Sequence, residues 1–541
     1  MTVAVLDERP TWQEVVLSFA PPVKRTDRAA ALLSRLPIWL ILIGQAVLTW
    51  RLSDIAFDDE ALYIDAGHDI LSHAVMGSHV ASYGSYFSGA PTGYPVVAAV
   101  LDSLGGLDLV RLFSLVCLLV STLCVQRSSQ HLFGRKAGLF SALVFALSGS
   151  VLFVGKLATY DAPCIALIAL AMALAVTKRS IATGIAIGVL LALAATTKYT
   201  GAAFIPLVLA MCFLSNGATT VVQWVRPAAR SVVAALVAVG MLVGGYHLWG
   251  ASIRQGLSFT TTGRKALDPQ PMVVLVRSVV DDIGLLLVLT MVALVLLAVR
   301  RSWRNLLIGL VCLGGGLLLP LSQLHIHEFT SLDKHTAFSA LFLALPAGLA
   351  LAAAFTRRGI AVAVAAVVLW LALIDGLWRS DIQYSWPTSL MKTLSAVEAT
   401  PVPGEYLSTN GDILRYYSPQ GSPVIWEANS VAYSVLGQSV PAVREVVRSH
   451  QFAGFVYQSG DVSPQDRRRQ AALTAILSHD PYYRRVARFR VSPWGTSDWY
   501  VWQKRTGAFA VQAASTEARV LRPVPAPANP VSATRTVTSH T

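Results

Sequence analysis

Long apolar runs separated by short polar connections make up most of the first 380 residues. Each run approaches the roughly 20 residues that an α-helix needs to cross the hydrocarbon core of a bilayer. The pattern therefore predicts a polytopic α-helical membrane protein with about eleven transmembrane helices. The predicted spans lie near residues 36–52, 107–126, 137–155, 162–177, 180–197, 199–215, 229–249, 283–299, 303–322, 336–355 and 359–379.

The pattern changes after residue 379, where long apolar runs end. FAGFVYQ (452–458), RRVARFRV (484–491) and DWYVWQK (498–504) predict strands, and the segments at 441–450 and 464–479 predict helices. We expect a small α/β domain at 380–506, after a transmembrane domain at 36–379 and an N-terminal segment at 1–35. The tail at 507–541, rich in Ala, Pro, Val, Ser and Thr, predicts disorder.

Composition supports a membrane protein, because 54% of the residues are hydrophobic and only 13% are charged. Soluble domains are about one quarter charged. The net charge of +13 lies largely in connections between apolar runs, which argues against nucleic-acid binding. All five cysteines lie within apolar runs, so neither a disulfide framework nor a structural zinc site is predicted.

Alternate connections between the spans are basic, and this asymmetry predicts the orientation. By the positive-inside rule the basic connections are cytoplasmic, as is the N-terminus. The first outer loop (53–106) and the C-terminal domain are then extracytoplasmic, and the Arg-, Ala- and Val-rich composition suggests a bacterial plasma membrane. The basic residues are Arg127, Arg135 and Lys136; Lys178 and Arg179; Arg226 and Arg230; Arg300, Arg301 and Arg304; Arg357 and Arg358.

An acidic stretch, FDDEALYIDAGHDI (57–70), follows the first span directly and contains no Lys or Arg. One interpretation is helix capping, with Asp58 as the N-cap and with Asp59 and Glu60 near the positive end of the helix dipole. The other interpretation is that one of these carboxylates, held at the bilayer edge, acts as a general base.

Further charges lie at the ends of spans on the same predicted side: Lys156, Asp161, Lys198 and Lys334. A charge at membrane depth costs about 2.5–3.5 kcal/mol on insertion scales, so it usually faces a cavity or a partner. Each lysine alone is explained by snorkelling to the interface. The whole set favours a shared polar cavity, suited to a lipid phosphate that carries a reactive group.

The order of motifs resembles one family. One span precedes DDEALY (58–63), and a long loop ends in APTGYP (90–95); VRLFSLV, HLFGRKAGLFSALVFALS, GKLATYDAP (155–163) and TTKYTG (196–201) follow. This arrangement, over roughly residues 30–215, resembles the membrane-embedded, C-type glycosyltransferases. The resemblance is to the group of protein O-mannosyltransferases and of the aminoarabinose transferases that modify lipid A. It implies the C-type glycosyltransferase fold.

The resemblance also implies a reaction: transfer of a sugar from a polyprenyl-phosphate donor to an acceptor hydroxyl on the extracytoplasmic side. The family's catalytic base, the Asp of its DE pair, falls on Asp59, followed by Glu60. Asp58 is an extra acid and remains an alternative base. A single displacement by the hydroxyl would invert the anomeric carbon. The acceptor is not identified and is a protein, a lipid or a glycan.

Residues of the same motifs are candidates for binding the substrate. The family's second-loop Asp falls on Asp161, and its lysine after the fifth span falls on Lys198. Lys156 and Lys334 are further candidates for the donor phosphate, and the predicted substrate-binding residues also include Tyr63 and Tyr160. Many relatives carry a basic residue before a Pro-Pro pair in the first outer loop. This chain has Gly89-Ala90-Pro91-Thr92 there, so that phosphate contact is missing.

Three further questions stay open at the level of sequence. No cofactor is firmly predicted, although His325, His327, Glu328 and His335 would suit a divalent cation if they met. A transporter or flippase of lipid-linked sugars would also have many spans and intramembrane charges, but with polar groups near the midplane. A non-catalytic scaffold of the cell envelope is the third class, against which the intact DDE, TYD and TKY triplets argue.

Overall fold

The computed structural model describes residues 25–505, apart from 79, 86, 216–220, 261–268, 330, 357–358, 437–438, 460–463 and 492–496. The chain divides into two compact units between Trp386 and Pro387. The predicted domain boundary after residue 379 falls within the last long helix of the first unit. The predicted tail at 507–541 and most of the segment at 1–35 lie outside the described residues.

The first unit is helical throughout its described part, as the long apolar runs predict. Short 3₁₀ helices cover Tyr83–Ser85 and Tyr199–Phe204. The α-helices are α1 (Arg25–Trp50), α2 (Asp58–Met76), α3 (Tyr94–Phe133), α4 (Arg135–Leu147), α5 (Gly149–Lys156), α6 (Asp161–Thr177), α7 (Ile181–Thr197), α8 (Ile205–Leu214), α9 (Val221–Ser258), α10 (Met272–Val299), α11 (Trp303–Ile326), α12 (Leu332–Phe355) and α13 (Ile360–Gln383).

Every predicted apolar run is helical, and the chain is a multi-span membrane protein. Among the described residues, six helices are long and apolar enough to cross a bilayer: α3, the 223–248 part of α9, and α10 to α13. The pair α4 and α5, bent by 63°, makes a seventh span if the two cross together. The remaining four predicted spans form apolar helices of 10–17 residues, so the count of eleven crossings is not confirmed.

Helix α12 lies at the centre of the first unit. Apart from Asp333, all of its residues from Leu332 to Ala352 are buried, although the helix carries Lys334 and His335. By contrast, α13 exposes a series of large apolar side chains, including Trp370, as a lipid-facing helix does. The polar start of α12 therefore lies inside the protein and not against lipid.

Helices α2 and α3 cross at very short distance within the first outer loop (53–106). A Cβ atom at Gly67 of α2 would collide with the backbone carbonyl of Pro95, in the first turn of α3. Only glycine permits this approach. Farther along, the backbone of α3 is non-helical at Gly105 and Gly106, so the helix is kinked there before it enters the predicted span at 107–126.

The second unit is an α/β domain with one five-stranded sheet. Its strand order is β2-β1-β3-β5-β4. Strands β2, β1 and β3 are parallel, whereas β5 is antiparallel to both β3 and β4. The elements are α14 (Leu390–Ala399), β1 (Gly404–Ser408), α15 (Gly411–Tyr417), β2 (Val424–Trp426), α16 (Asn429–Leu436), α17 (Val440–Arg448), β3 (Gly454–Ser459), α18 (Pro464–His479), β4 (Tyr483–Arg490) and β5 (Asp498–Lys504).

The three predicted strands of this domain are confirmed as β3, β4 and β5, and the two predicted helices as α17 and α18. β1 and β2 were not predicted, because five and three residues are too short to show an alternating pattern. The sheet covers a core in which Phe455, Trp502 and Leu477 are buried.

Candidate active site

The acidic stretch forms the first turn of α2. Phe57, in an extended conformation, is the N-cap, so the prediction that Asp58 is the N-cap is wrong by one residue. Asp58, Asp59 and Glu60 occupy the first helical turn, where the positive end of the helix dipole favours carboxylates. Because successive residues of a helix point about 100° apart, these three acids enter different surroundings.

Glu60 is fully buried and joins three parts of the chain. Its carboxylate accepts two hydrogen bonds from Arg111 of α3, at 3.0 Å from Nε and 2.6 Å from Nη2. It also accepts from the backbone N–H groups of Ala158, at 2.6 Å, and Phe57, at 2.7 Å. Both carboxylate oxygens are occupied in this way, so Glu60 holds the start of α2 against α3 and the loop before α6.

Arg111 is a site residue that the sequence interpretation did not single out. Its side chain is buried, and its other donors reach the backbone carbonyls of Asp54, at 3.1 Å, and Ile55, at 3.0 Å. The signal was present, since an arginine inside an apolar span requires a partner. Arg111 fixes the loop that leads from α1 into the acidic turn.

Asp59, one residue before Glu60, points elsewhere and forms an ion pair with Lys334 at the start of α12. The Asp59 side chain is 27% exposed and that of Lys334 is 10% exposed. The Lys334 ammonium group also lies 5.3 Å from the ring centre of Phe57. Asp59 therefore combines partial access with a cationic partner, whereas the Glu60 side chain has no exposed surface.

Asp161 and Lys198 form a second ion pair, and both side chains are almost completely buried. Asp161 begins α6, and Thr159 donates a hydrogen bond of 3.0 Å to its other carboxylate oxygen. Lys198 directly follows α7, and its ammonium group lies 5.4 Å from the ring centre of Tyr160. The TYDAP and TTKYTG motifs thus meet through an ion pair, which the sequence analysis does not predict.

Tyr63 and Tyr160 connect the two ion pairs. Their ring centres are 4.5 Å apart, and the two hydroxyl groups share a hydrogen bond. Burial, followed by the negative charge of Asp59 and with a contribution from Asp161, raises the pKa of Tyr63 well above its ordinary value. Both carboxylates therefore lie near a phenol that stays protonated and can donate a hydrogen bond. The structure brings together Asp59, Lys334, Asp161, Lys198, Tyr63 and Tyr160.

Lys156 lies in different surroundings from the other predicted lysines. Its ammonium group is 3.5 Å from the ring centre of Trp50 in α1, a cation–π geometry, and the side chain is buried. Lys156 also interacts electrostatically with the charged groups of Arg111 and Glu60. Lys156 thus packs beside the Glu60–Arg111 pair, and no described contact joins it to Asp59 or Asp161.

The segment Ser88–Ala90 lies directly against the loop that carries Lys198. The N–H of Ala90 donates to the carbonyl of Thr196 at 2.9 Å, and the N–H of Tyr199 donates to the carbonyl of Ser88 at 2.8 Å. A Cβ at Gly89 would collide with the carbonyl of Thr197. Gly89 therefore allows close contact between this segment and the backbone beside Lys198.

The histidines near the start of α12 do not gather. Among the described residues, no group of three or more His, Cys, Asp or Glu side chains is placed to hold a metal ion. His335 instead makes a hydrogen bond of 2.7 Å with Gln323, and His327 one of 3.2 Å with the carbonyl of Gln270.

Comparison with known proteins gives a partial match to a family model and a fold. Residues 96–244, from α3 into α9, match the model of a family described as dolichyl-phosphate-mannose-protein mannosyltransferase. This match includes Arg111, Asp161 and Lys198 but neither Asp59 nor Lys334. Comparison with curated proteins gives no match.

Solved structures cover more of the chain. ArnT from Cupriavidus metallidurans in the apo state is 15% identical, with a TM-score of 0.56 over 85% of this chain and 97% of that chain. The same protein bound to undecaprenyl phosphate is 14% identical, with a TM-score of 0.55 over 86% and 97%. The archaeal oligosaccharyltransferase AglB from Archaeoglobus fulgidus, in complex with an inhibitory peptide and a dolichol-phosphate, is 12% identical, with a TM-score of 0.52 over 85% and 74%.

At these identities the structural similarity concerns the fold. The resemblance inferred from the motifs is confirmed at the level of the fold. The chain has the fold of the membrane-embedded, C-type glycosyltransferases.

Proposed function

We propose that this protein transfers a sugar from a polyprenyl-phosphate donor to an acceptor hydroxyl at the extracytoplasmic face of the membrane, with inversion. The observation that carries the proposal is the partly exposed Asp59–Lys334 ion pair, beside the buried Asp161–Lys198 pair. The matched family and the structure with bound undecaprenyl phosphate support the class of donor.

In this reaction Asp59 is the general base. The acceptor oxygen attacks the anomeric carbon, its proton moves to the Asp59 carboxylate, and the bond between that carbon and the phosphate oxygen breaks. Lys334 pairs with Asp59 and orients its carboxylate before the acceptor arrives. Removal of a positioned general base typically lowers the rate about 10²- to 10⁴-fold.

The leaving group is a lipid phosphate that gains one negative charge as the bond breaks. A cation in a water-poor site stabilises such a charge without reorganisation. Lys198 is the candidate for this role, because its ion pair with Asp161, which Thr159 in turn hydrogen-bonds, holds the ammonium group over the ring of Tyr160. Tyr63 and Tyr160 offer phenol groups for the sugar or the phosphate.

The arrangement argues against the rival transporter or flippase. Asp59, Asp161, Lys198 and Lys334 all lie at helix ends or directly beside them. A transporter usually places such groups near the middle of the bilayer, on broken helices. Charges grouped at one end of the helices suit chemistry on a substrate held at the membrane surface.

The test is donor consumption by membranes that contain the full-length protein, with a panel of labelled polyprenyl-phosphate sugars and candidate acceptors. The wild type is compared with Asp59→Asn and with the matched neighbour Asp58→Asn. We expect label to move from one donor, a loss of about 10²-fold or more in Asp59→Asn, and nearly full activity in Asp58→Asn.

Two results would contradict specific parts of this proposal. Full activity of a normally expressed Asp59→Asn variant would exclude Asp59 as the base. A product that keeps the donor's anomeric configuration would exclude a single displacement. Transport of labelled lipid across vesicles without transfer, with the full acceptor panel present, would favour the flippase instead.

A further inference from the structure

A second polar site lies at the other end of the first unit. A cavity of about 440 Å³ lies between the middle of α1, the last turns of α3 and the start of α4. Arg35, Arg127 and Arg135, one from each helix, line it. Among the described residues that line the cavity, none is acidic.

The cavity is separate from the candidate active site. Arg127 lies 16 residues after Arg111 on α3, and Arg35 lies 15 residues before Trp50 on α1. At a rise of 1.5 Å per residue, the cavity lies roughly 22–24 Å along the axes of α1 and α3 from the level of Trp50 and Arg111. It therefore lies near the opposite membrane surface, which the positive-inside rule predicts to be cytoplasmic.

One part of the cavity wall is apolar, whereas Gln126 and Gln130 add polar side chains to the three arginines. Ile38, Trp39 and Leu123 line it together with the arginines. Trp39 is 56% exposed, and exposed apolar side chains continue along α1 at Leu40 and Ile43. Tryptophan at the end of an apolar stripe is typical of the interface between headgroups and acyl chains.

We propose that this cavity binds the headgroup of an anionic phospholipid. Guanidinium groups bind phosphate through paired hydrogen bonds, and basic pockets between transmembrane helices bind acidic headgroups. The apolar walls would contact the acyl chains, a feature that a site for free phosphate has no need of. The lipid would join α1, α3 and α4 at the end remote from the chemistry.

The proposal is tested by native mass spectrometry of the full-length protein, purified in detergent and exposed to equal amounts of phosphatidylglycerol and phosphatidylcholine. We expect phosphatidylglycerol to be retained preferentially. Each arginine near an anionic lipid surface contributes roughly fivefold, so Arg127→Gln should lose about fivefold and Arg35→Gln with Arg127→Gln about 25-fold.

The matched control is Arg300→Gln with Arg301→Gln, which removes the same charge from another basic connection, outside the cavity. The four arginine side chains replaced in these variants are all exposed, so the packed core should be kept. Gel filtration of each variant checks this. The control should retain phosphatidylglycerol as the wild type does.

Three outcomes would overturn the proposal. Equal retention of both lipids by the wild type would mean that the site has no preference for an anionic headgroup. An equal loss in the control would assign the preference to general charge. Displacement of phosphatidylglycerol by inorganic phosphate, or by polyprenyl phosphate at equal concentration, would assign the cavity to a simple anion or to the reaction's own lipid.

Discussion

Asp59 and Glu60 are neighbours with opposite surroundings. Glu60 has no exposed surface and makes four hydrogen bonds within the protein. Asp59 is partly exposed and pairs with Lys334. A carboxylate with every oxygen occupied is poorly placed to accept a proton from a substrate. The difference assigns a structural role to Glu60 and makes Asp59 the better candidate of these two for chemistry.

Replacing Glu60 should therefore affect stability first. Glu60→Gln leaves the Arg111 guanidinium buried without its charge partner, and breaking a buried ion pair costs about 3–5 kcal/mol. We expect a lower melting temperature in detergent and poor recovery of folded protein, whereas Asp59→Asn, which breaks a partly exposed pair, should lower the melting temperature less. A Glu60→Gln protein of normal stability but without activity would contradict this assignment.

Replacements of Lys334 and Lys156 should likewise differ in their effects on the kinetics. Lys334→Met removes the partner of Asp59, so we expect kcat to fall about 10²-fold, within the range for a disturbed general base.

Lys156→Met keeps an apolar side chain beside Trp50. Because Lys156 does not contact the donor phosphate, its replacement removes no binding energy for the donor, and the KM for the donor should stay within about twofold of the wild-type value. A large rise in KM for Lys156→Met would restore Lys156 to the phosphate site.

Motifs located the charged residues of the site but not their pairing. Asp59, Asp161 and Lys198 are found from short motifs within one continuous stretch of chain. That Lys334, 275 residues away, should be the partner of Asp59 depends on how α12 is buried, which no local pattern contains. Arg111 was overlooked because it is a single charge within an apolar run and its partner Glu60 had been explained by capping.

At the scale of elements, the position of α2 depends on its crossing with α3. Gly67→Ala would force a methyl group against the carbonyl of Pro95, and overpacking of this kind typically costs about 1–3 kcal/mol. We expect Gly67→Ala to lower both the melting temperature and the activity, since α2 carries Asp59. Gly44→Ala is the control, because a methyl group at Gly44 of α1 meets nothing within 4 Å. Equal effects of both substitutions would show that the crossing has no special role.

Hydropathy identified helices better than it identified membrane crossings. All eleven apolar runs became helical, because burial of apolar side chains and internal backbone hydrogen bonds favour helices in lipid. Their lengths could not be predicted, since breaks such as the one at Ser148, between α4 and α5, arise where helices pack. The short strands β1 and β2 were missed because each depends on pairing with a distant segment.

For the whole molecule, the site and the arginine-rich connections occupy opposite ends of the helices. Lys198 follows the end of α7, and Asp161 begins α6. Lys178 and Arg179 join the other ends of these two helices. The same alternation places Arg300 and Arg301 between α10 and α11, opposite to Lys334 at the start of α12. The positive-inside rule then predicts that the site faces outward.

This orientation can be measured by adding one cysteine at a time to the protein and labelling intact cells with a membrane-impermeant maleimide. Ser449→Cys, at the exposed end of α17 in the second unit, should be labelled on intact cells. Arg300→Cys, exposed between α10 and α11, should be labelled only after lysis. Unmodified protein is the control: Cys117 is half-buried and the other four cysteines are buried, so it should remain unlabelled. Labelling of Arg300→Cys on intact cells would reverse the predicted orientation and place the candidate active site on the cytoplasmic face.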